Sequence, residues 1–165
     1  MKASGIGKLS LALILASGAA KPIPVPAVHS AATSAPALIN TCLITNDVEK
    51  LANFYKRVLQ IAPQKSGDNY VEFRTTAGTL ALFSADAQEE YIQGSAAAGQ
   101  NRSIILEFRV ANVDADYARL RDIVDSWVKG PTTQPWGTRS IYFRDPDGNL
   151  VDLFMPVRLP GQVGH

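Results

Sequence analysis

The stretch "PWGTRSIYFRDPDGNLVDLF", residues 135–154, holds most of the side chains with chemical potential. It reads as a strand, a tight acidic turn and a second strand, with Asp152 where the second strand turns apolar. An acid in that position can ligate a metal, act as a general base, or be a partly buried carboxylate hydrogen-bonded near its own hairpin. The rest of the chain narrows the choice. Its two histidines are His29, near the start, and His165, the last residue. With no imidazole in the body of the chain, activation of a nucleophile by histidine is not available, and no Ser/His/Asp set, Cys/His pair or Gly-rich phosphate loop occurs. The single cysteine, Cys42, excludes an intramolecular disulfide and a cysteine-rich zinc site. It lies in an apolar run and is expected to be a small buried hydrophobe. Asp145 and Asp147 in "RDPDGN" are read as turn residues, because Asp, Pro and Asn favour the turn and Gly148 tolerates positive φ.

These groups need a scaffold. A chain of 165 residues with 46% hydrophobic and 19% charged residues suits one globular domain. A formal charge of +1 without a Lys/Arg stripe argues against a nucleic-acid partner. The beginning differs from the rest. "MKASGIGK" is basic, "LSLALILA" is a short apolar run, and "SGAA" supplies small residues for cleavage. That run is shorter than the roughly 20 residues a membrane span needs. Residues 1–20 are therefore expected to be a signal peptide, and the protein to be exported, periplasmic or secreted, with no membrane contact after cleavage. Residues 21–36 contain four of the ten prolines and read as an extended tether.

From Ala37 two similar units follow. In the first, "ALINTCLIT" is a strand and "NDVEKLANFYKRVLQ" a helix capped by Asn46 or Asp47. Val48, Leu51, Tyr55, Val58 and Leu59 fall at helical spacing, and Phe54 and Tyr55 are read as core. A weaker extended stretch near "PQKSGDN" precedes the strands "YVEFRT" and "TLALFS". In the second unit "SIILEFRV" is a strand, "NVDADYARLRDIV" a helix capped by Asn112, "SWVKGP" a weak strand, and "RSIYFRD" with "NLVDLFM" a hairpin. Asp47 and Asn112 stand 65 residues apart, so strand, helix and three strands are duplicated. The expected division is module one 37–86, a mobile polar linker 87–102, module two 103–157 and a tail 158–165. Each helix covers one sheet face, and the other face must meet a partner or line a cavity.

The duplicated unit, the helix entry "LITNDVEKLANFYKRVL", its echo "FRVANVDADYARL" and the closing hairpin resemble the vicinal oxygen chelate superfamily, which includes glyoxalase I, bleomycin-binding resistance proteins, fosfomycin-resistance transferases and extradiol dioxygenases. The resemblance implies an α+β fold of two βαβββ modules whose curved mixed sheets form a cup, often completed by a second copy of the chain as a homodimer. It also implies where metal-using members place ligands. The first-strand histidine position falls on Asn40, its counterpart in module two on Ile105, the acidic position of module one on Ala81, and the last acid on Asp152. One carboxylate, one amide and two hydrocarbon positions are a poor set for a transition ion. A weak oxygen site of Asn40, Glu107 and Asp152 is the alternative, Glu107 sharing the face of position 105 by strand alternation. The same resemblance implies that Ser140 and Tyr142 face the cavity, with Arg144 at the rim and Arg139 on the helix side. Asn40, Cys42, Glu107, Leu150 and Phe154 join that wall by alternation, and Trp136 either closes one side or packs at the core edge.

The expected function is accordingly that of a glyoxalase/bleomycin-resistance-like protein binding a small, partly apolar molecule without a cofactor, through Asn40, Glu107, Trp136, Ser140, Tyr142 and Asp152. Two alternatives stand beside it. One is a diverged lyase, isomerase or dioxygenase using Asp152 and Glu107 with a weakly held divalent metal. The other is a non-catalytic dimeric scaffold with a filled cup.

Overall fold

The computed structural model describes residues 37–158. The expected signal peptide, the tether with His29, and residues 159–165 with His165 lie outside the described residues. Among the described residues, no helix is long and apolar enough to cross a membrane.

The element order is β1 (Asn40–Thr45), α1 (Val48–Leu59), β2 (Gln64–Ser66), β3 (Tyr70–Arg74), β4 (Thr79–Ser84), α2 (Ala85–Tyr91), β5 (Ile105–Arg109), α3 (Val113–Leu120), β6 (Ser126–Thr133), β7 (Thr138–Arg144) and β8 (Leu150–Pro156). They form two four-stranded sheets, β1-β4-β3-β2 and β5-β8-β7-β6. In each, the first and last strands of a module run parallel and the remaining pairs antiparallel. This is the expected α+β architecture of two βαβββ modules.

Local chemistry explains the helices. Asp47 caps α1 by accepting from the Lys50 amide at 2.8 Å, with Glu49 in the first turn and Lys56 and Arg57 in the last. Gln60 then leaves the helix at φ 56°. Asn112 caps α3 in the same way, through the Ala115 amide at 3.0 Å. The apolar spacing predicts α3 as far as Val124, but it ends at Leu120, whose carbonyl accepts from the amides of both Ile123 and Val124 in a closing turn. The stretch expected to be a mobile linker starts with α2, capped by Ser84. Only Ala87 of α2 is buried, so there was no apolar period to signal it.

Strand alternation sorts the side chains. Leu43, Val71, Phe73, Leu80 and Leu82 of the first sheet, and Leu106, Ile141, Phe143, Val151 and Leu153 of the second, are buried toward the helices in one shared core. Contacts across the modules hold that core together. The Phe54 and Phe143 rings meet edge to face at 6.2 Å. Arg119 of α3 donates to the carbonyls of Arg57 and Val58 at the end of α1, at 2.7 and 2.9 Å. Tyr55, fully buried, donates its hydroxyl to Asp145 Oδ2 at 2.7 Å. Asp145 also accepts from the Asp147 and Asn149 amides and from Asn149 Nδ2, at 3.0, 2.8 and 2.8 Å. The acidic turn is thus structural, and it also joins the second module to the helix of the first.

Candidate functional site

The faces turned away from the helices carry the polar groups. In the second sheet one register row crosses all four strands: Glu107 of β5, Asp152 of β8, Tyr142 of β7 and Lys129 of β6. The matching row of the first sheet is Cys42, Ala81, Glu72 and Gln64. Glu107 stands 65 residues after Cys42, so the duplication that aligned the caps aligns these rows too. The chemistry has diverged between them. Where module two sets two acids side by side, module one has a thiol and a methyl group.

Asp152 is only 3% exposed although it belongs to the open face. Its Oδ1 is buried without a hydrogen-bond partner among the described residues. Burial pushes its carboxyl up to about 6; the hydroxyls of Tyr142 and Ser140 pull the other way, and the charge of Glu107 adds to the rise. Tyr142 in turn is raised, by burial first and by the neighbouring acids, against a lowering from Ser140. Ser140 is fully buried, one register step from Asp152 along β7, with Thr138 Oγ1 3.5 Å from its hydroxyl. Asp152, Tyr142, Ser140 and Glu107 therefore share one patch.

Other expected wall residues are placed differently. Asn40 begins β1 on the first sheet, and a cleft of ≈ 260 Å³ between β1 and β5 is lined by both Asn40 and Glu107. Trp136 lies in the turn between β6 and β7, 67% exposed and away from that cleft, so it neither packs at the core edge nor lines a described cavity. Cys42 is exposed, not the buried hydrophobe expected from its apolar run: its alternate neighbours Leu43 and Thr45 take the buried side. Its thiol is nevertheless pushed up by partial burial. Arg139 faces α3 and pairs with Asp114 at 2.6 and 2.7 Å, as the alternation requires. Arg144 donates to the Gly148 carbonyl at 2.8 Å and so serves the turn.

A larger groove of ≈ 1170 Å³ runs between the modules, beside the outer edge of β5, with Glu107, Arg109, Phe154, Arg74, Ile61 and Arg119 among its walls. Glu107 lines both spaces and is paired with Asp152, which makes it the link between groove, cleft and patch. Arg109, and Tyr70, Glu72 and Arg74 of β3, belong to no motif in the sequence. Tyr70 donates to Glu72 at 3.1 Å and Arg74 at 2.7 Å, on the open face of the first sheet. The alternation in "YVEFRT" was the available signal.

The metal-ligand positions can now be tested by their chemistry. Ala81 and Ile105 offer no donor atom, Asn40 offers an amide, and Asp152 one carboxylate. Among the described residues no group of three or more His, Cys, Asp or Glu side chains is arranged to hold an ion. This donor set does not fit the divalent centre the resemblance would imply.

Residues 37–153 match the family described as the Glyoxalase/Bleomycin resistance protein/Dioxygenase superfamily. The chain is 28% identical over 123 residues to the uncharacterized protein YraH of Bacillus subtilis (strain 168), covering 71% of this chain and 96% of that one. It is 30% identical over 110 residues to the metallothiol transferase FosB of Shouchella clausii (strain KSM-K16), covering 66% and 72%. A crystal structure of a glyoxalase/bleomycin resistance protein/dioxygenase from Nocardioides matches with a TM-score of 0.64 and 26% identity, over 81% of this chain and 93% of that one.

Proposed function

We propose, from the premise that this chain belongs to the Glyoxalase/Bleomycin resistance protein/Dioxygenase superfamily, that it binds a small organic molecule on the open face of its second sheet without a metal centre. One observation carries the reading. Asp152 is buried with an unpartnered oxygen, yet lies in a patch with Glu107, Tyr142 and Ser140 that adjoins a groove. A buried acid without a donor is costly, and its cost is offset when a ligand supplies the missing hydrogen bond. Ile61, Val110 and Phe154 in the groove suit the apolar part of such a molecule. The leader "MKASGIGKLSLALILASGAA" supports export, so the ligand would be met in the periplasm or outside the cell.

A second reading has its own support. A carboxyl near 6 is suited to accept and return a proton at neutral pH, so in that alternative Asp152 with Glu107 serves a diverged lyase, isomerase or dioxygenase with a weakly held divalent metal. The metallothiol transferase relative keeps this alternative open. A filled, inert cup is the third.

Metal analysis of the purified protein and melting shifts with Mn²⁺, Ni²⁺, Zn²⁺ and Ca²⁺ separate them. A ligand at 100 times its dissociation constant stabilises by about 2.7 kcal/mol, a readable shift. The binding reading expects substoichiometric metal and a shift with small organic molecules. Stoichiometric metal overturns it.

We extend the proposal to a homodimer. The edge strands β1 and β5 are each paired on one side, and Leu38, Ile39, Ile104 and Ile105 lie exposed on or just before them. Ile39 and Ile104 are 65 residues apart, so the duplication offers two related apolar edges to a second copy.

A further inference from the structure

We infer that Glu107 and Asp152 form the receptor for the protonated amine of an organic cation. The inference rests on the small-molecule reading above and names the ligand's charged group.

The two carboxylates are direct neighbours across a parallel ladder, where strands run roughly 4.7–4.9 Å apart. Like charges placed opposite each other on a sheet destabilise it. Proteins normally relieve such a pair with a cationic side chain, and none does so among the described residues. Their three salt bridges join Arg74 to Glu72, Arg119 to Asp116 and Arg139 to Asp114. Two of the nearby cations are otherwise placed. Lys129 is in the same row but beyond Tyr142. Arg144 donates to the Gly148 carbonyl. Arg109, two residues along the same strand face, lines the groove beside Glu107 but forms no salt bridge with either acid among the described residues.

The patch therefore holds two acids, an unpartnered buried oxygen and two hydroxyls, and among the described residues no cation is salt-bridged to either acid. A ligand cation completes it. A divalent ion needs several oxygens in a closed shell, which this set does not provide. A primary ammonium needs three acceptors around one tetrahedral nitrogen. Asp152, Glu107 and a hydroxyl of Tyr142 or Ser140 match that number. The χ2 torsion of Asp152 is soft, so a bound ammonium can draw either oxygen toward it. The Phe154 ring on the same face and the groove behind it receive the apolar part of the molecule.

Benzylamine, benzyl alcohol and benzoate share one ring and differ in the charge of the head group, so they serve as probes. Their binding to the full protein is measured by calorimetry and by chemical shifts of labelled backbone amides. The expected order is benzylamine tightest, benzyl alcohol about ten- to a hundredfold weaker, and benzoate weakest, because a charge-assisted hydrogen bond to each acid is lost. Glu107→Gln and Asp152→Asn should each erase most of the preference for the amine. Glu107 is exposed, so its variant keeps the test valid if Asp152→Asn fails to fold. Equal binding of all three probes, tightest binding of the alcohol or benzoate, or an amine preference that survives both substitutions overturns the inference while leaving a small-molecule site in place. Saturation by one Mn²⁺ or Zn²⁺ per chain, lost in Asp152→Asn, overturns the inference and the metal-free reading together.

Discussion

Asp152 shows how one residue reports on its surroundings. Its carboxyl is raised from an ordinary 3.8 to about 6, with burial the leading cause. In the unfolded chain the group loses its proton near pH 4, whereas in the folded protein it keeps it until about pH 6. Between those values the folded state binds more protons than the unfolded one, so stability falls as pH rises through that window. The loss is at most about 2–3 kcal/mol, less where solvent screens the carboxylate, and complete above about pH 7. Chemical denaturation of the wild type at pH 4.5 and pH 7.5 should show that difference beyond the slope of other groups. Asp152→Asn should remove it and be the more stable variant at the higher pH. Identical pH profiles for the two proteins would show that the buried acid is not strained.

At the scale of elements, the acidic turn between β7 and β8 does more than reverse the chain. Asp145 satisfies two turn amides and the Asn149 side chain, and it anchors Tyr55 of α1 in the other module. Tyr55→Phe removes a single hydrogen bond to a buried charge and should cost about 1.5–3 kcal/mol. Asp145→Ala orphans four donors at once and should cost more, about 3–5 kcal/mol, measured by urea unfolding. Equal effects would mean that the turn tolerates the loss and that only the bond to α1 matters. The sequence motif identified this turn through its turn-forming residues. The partner 90 positions earlier was not legible there, because Tyr55 also satisfies the apolar period of its helix and reads as plain core.

At the scale of the molecule, the two modules share one core through α1 and α3, while their open faces stay outside it. The exposed apolar edge residues beside β1 and β5 are the expected contact with a second copy. Sedimentation of the wild type should give a dimer, and Ile39→Lys with Ile104→Lys should give a folded monomer. A monomeric wild type would leave those residues without an explanation and remove the second copy from the site. The larger groove lies between the modules and not over Asp152, so ligand binding is expected to depend on both modules through Glu107.

Periodicity, caps and the 65-residue repeat determined the architecture from the sequence, because helix and strand periods and turn chemistry are local and survive without knowledge of the partner. Alternation sorted residues into two faces along each strand, and the family resemblance implied which face of β7 turns to the cavity. Tertiary structure decided the rest: that Cys42 is exposed, that Trp136 stands clear of the grooves, that a short helix opens the linker, and that Glu107 meets Asp152 with no salt bridge to either among the described residues. Exposure and charge pairing depend on which strands become neighbours, and residues 45 positions apart become neighbours only when a parallel ladder brings them together.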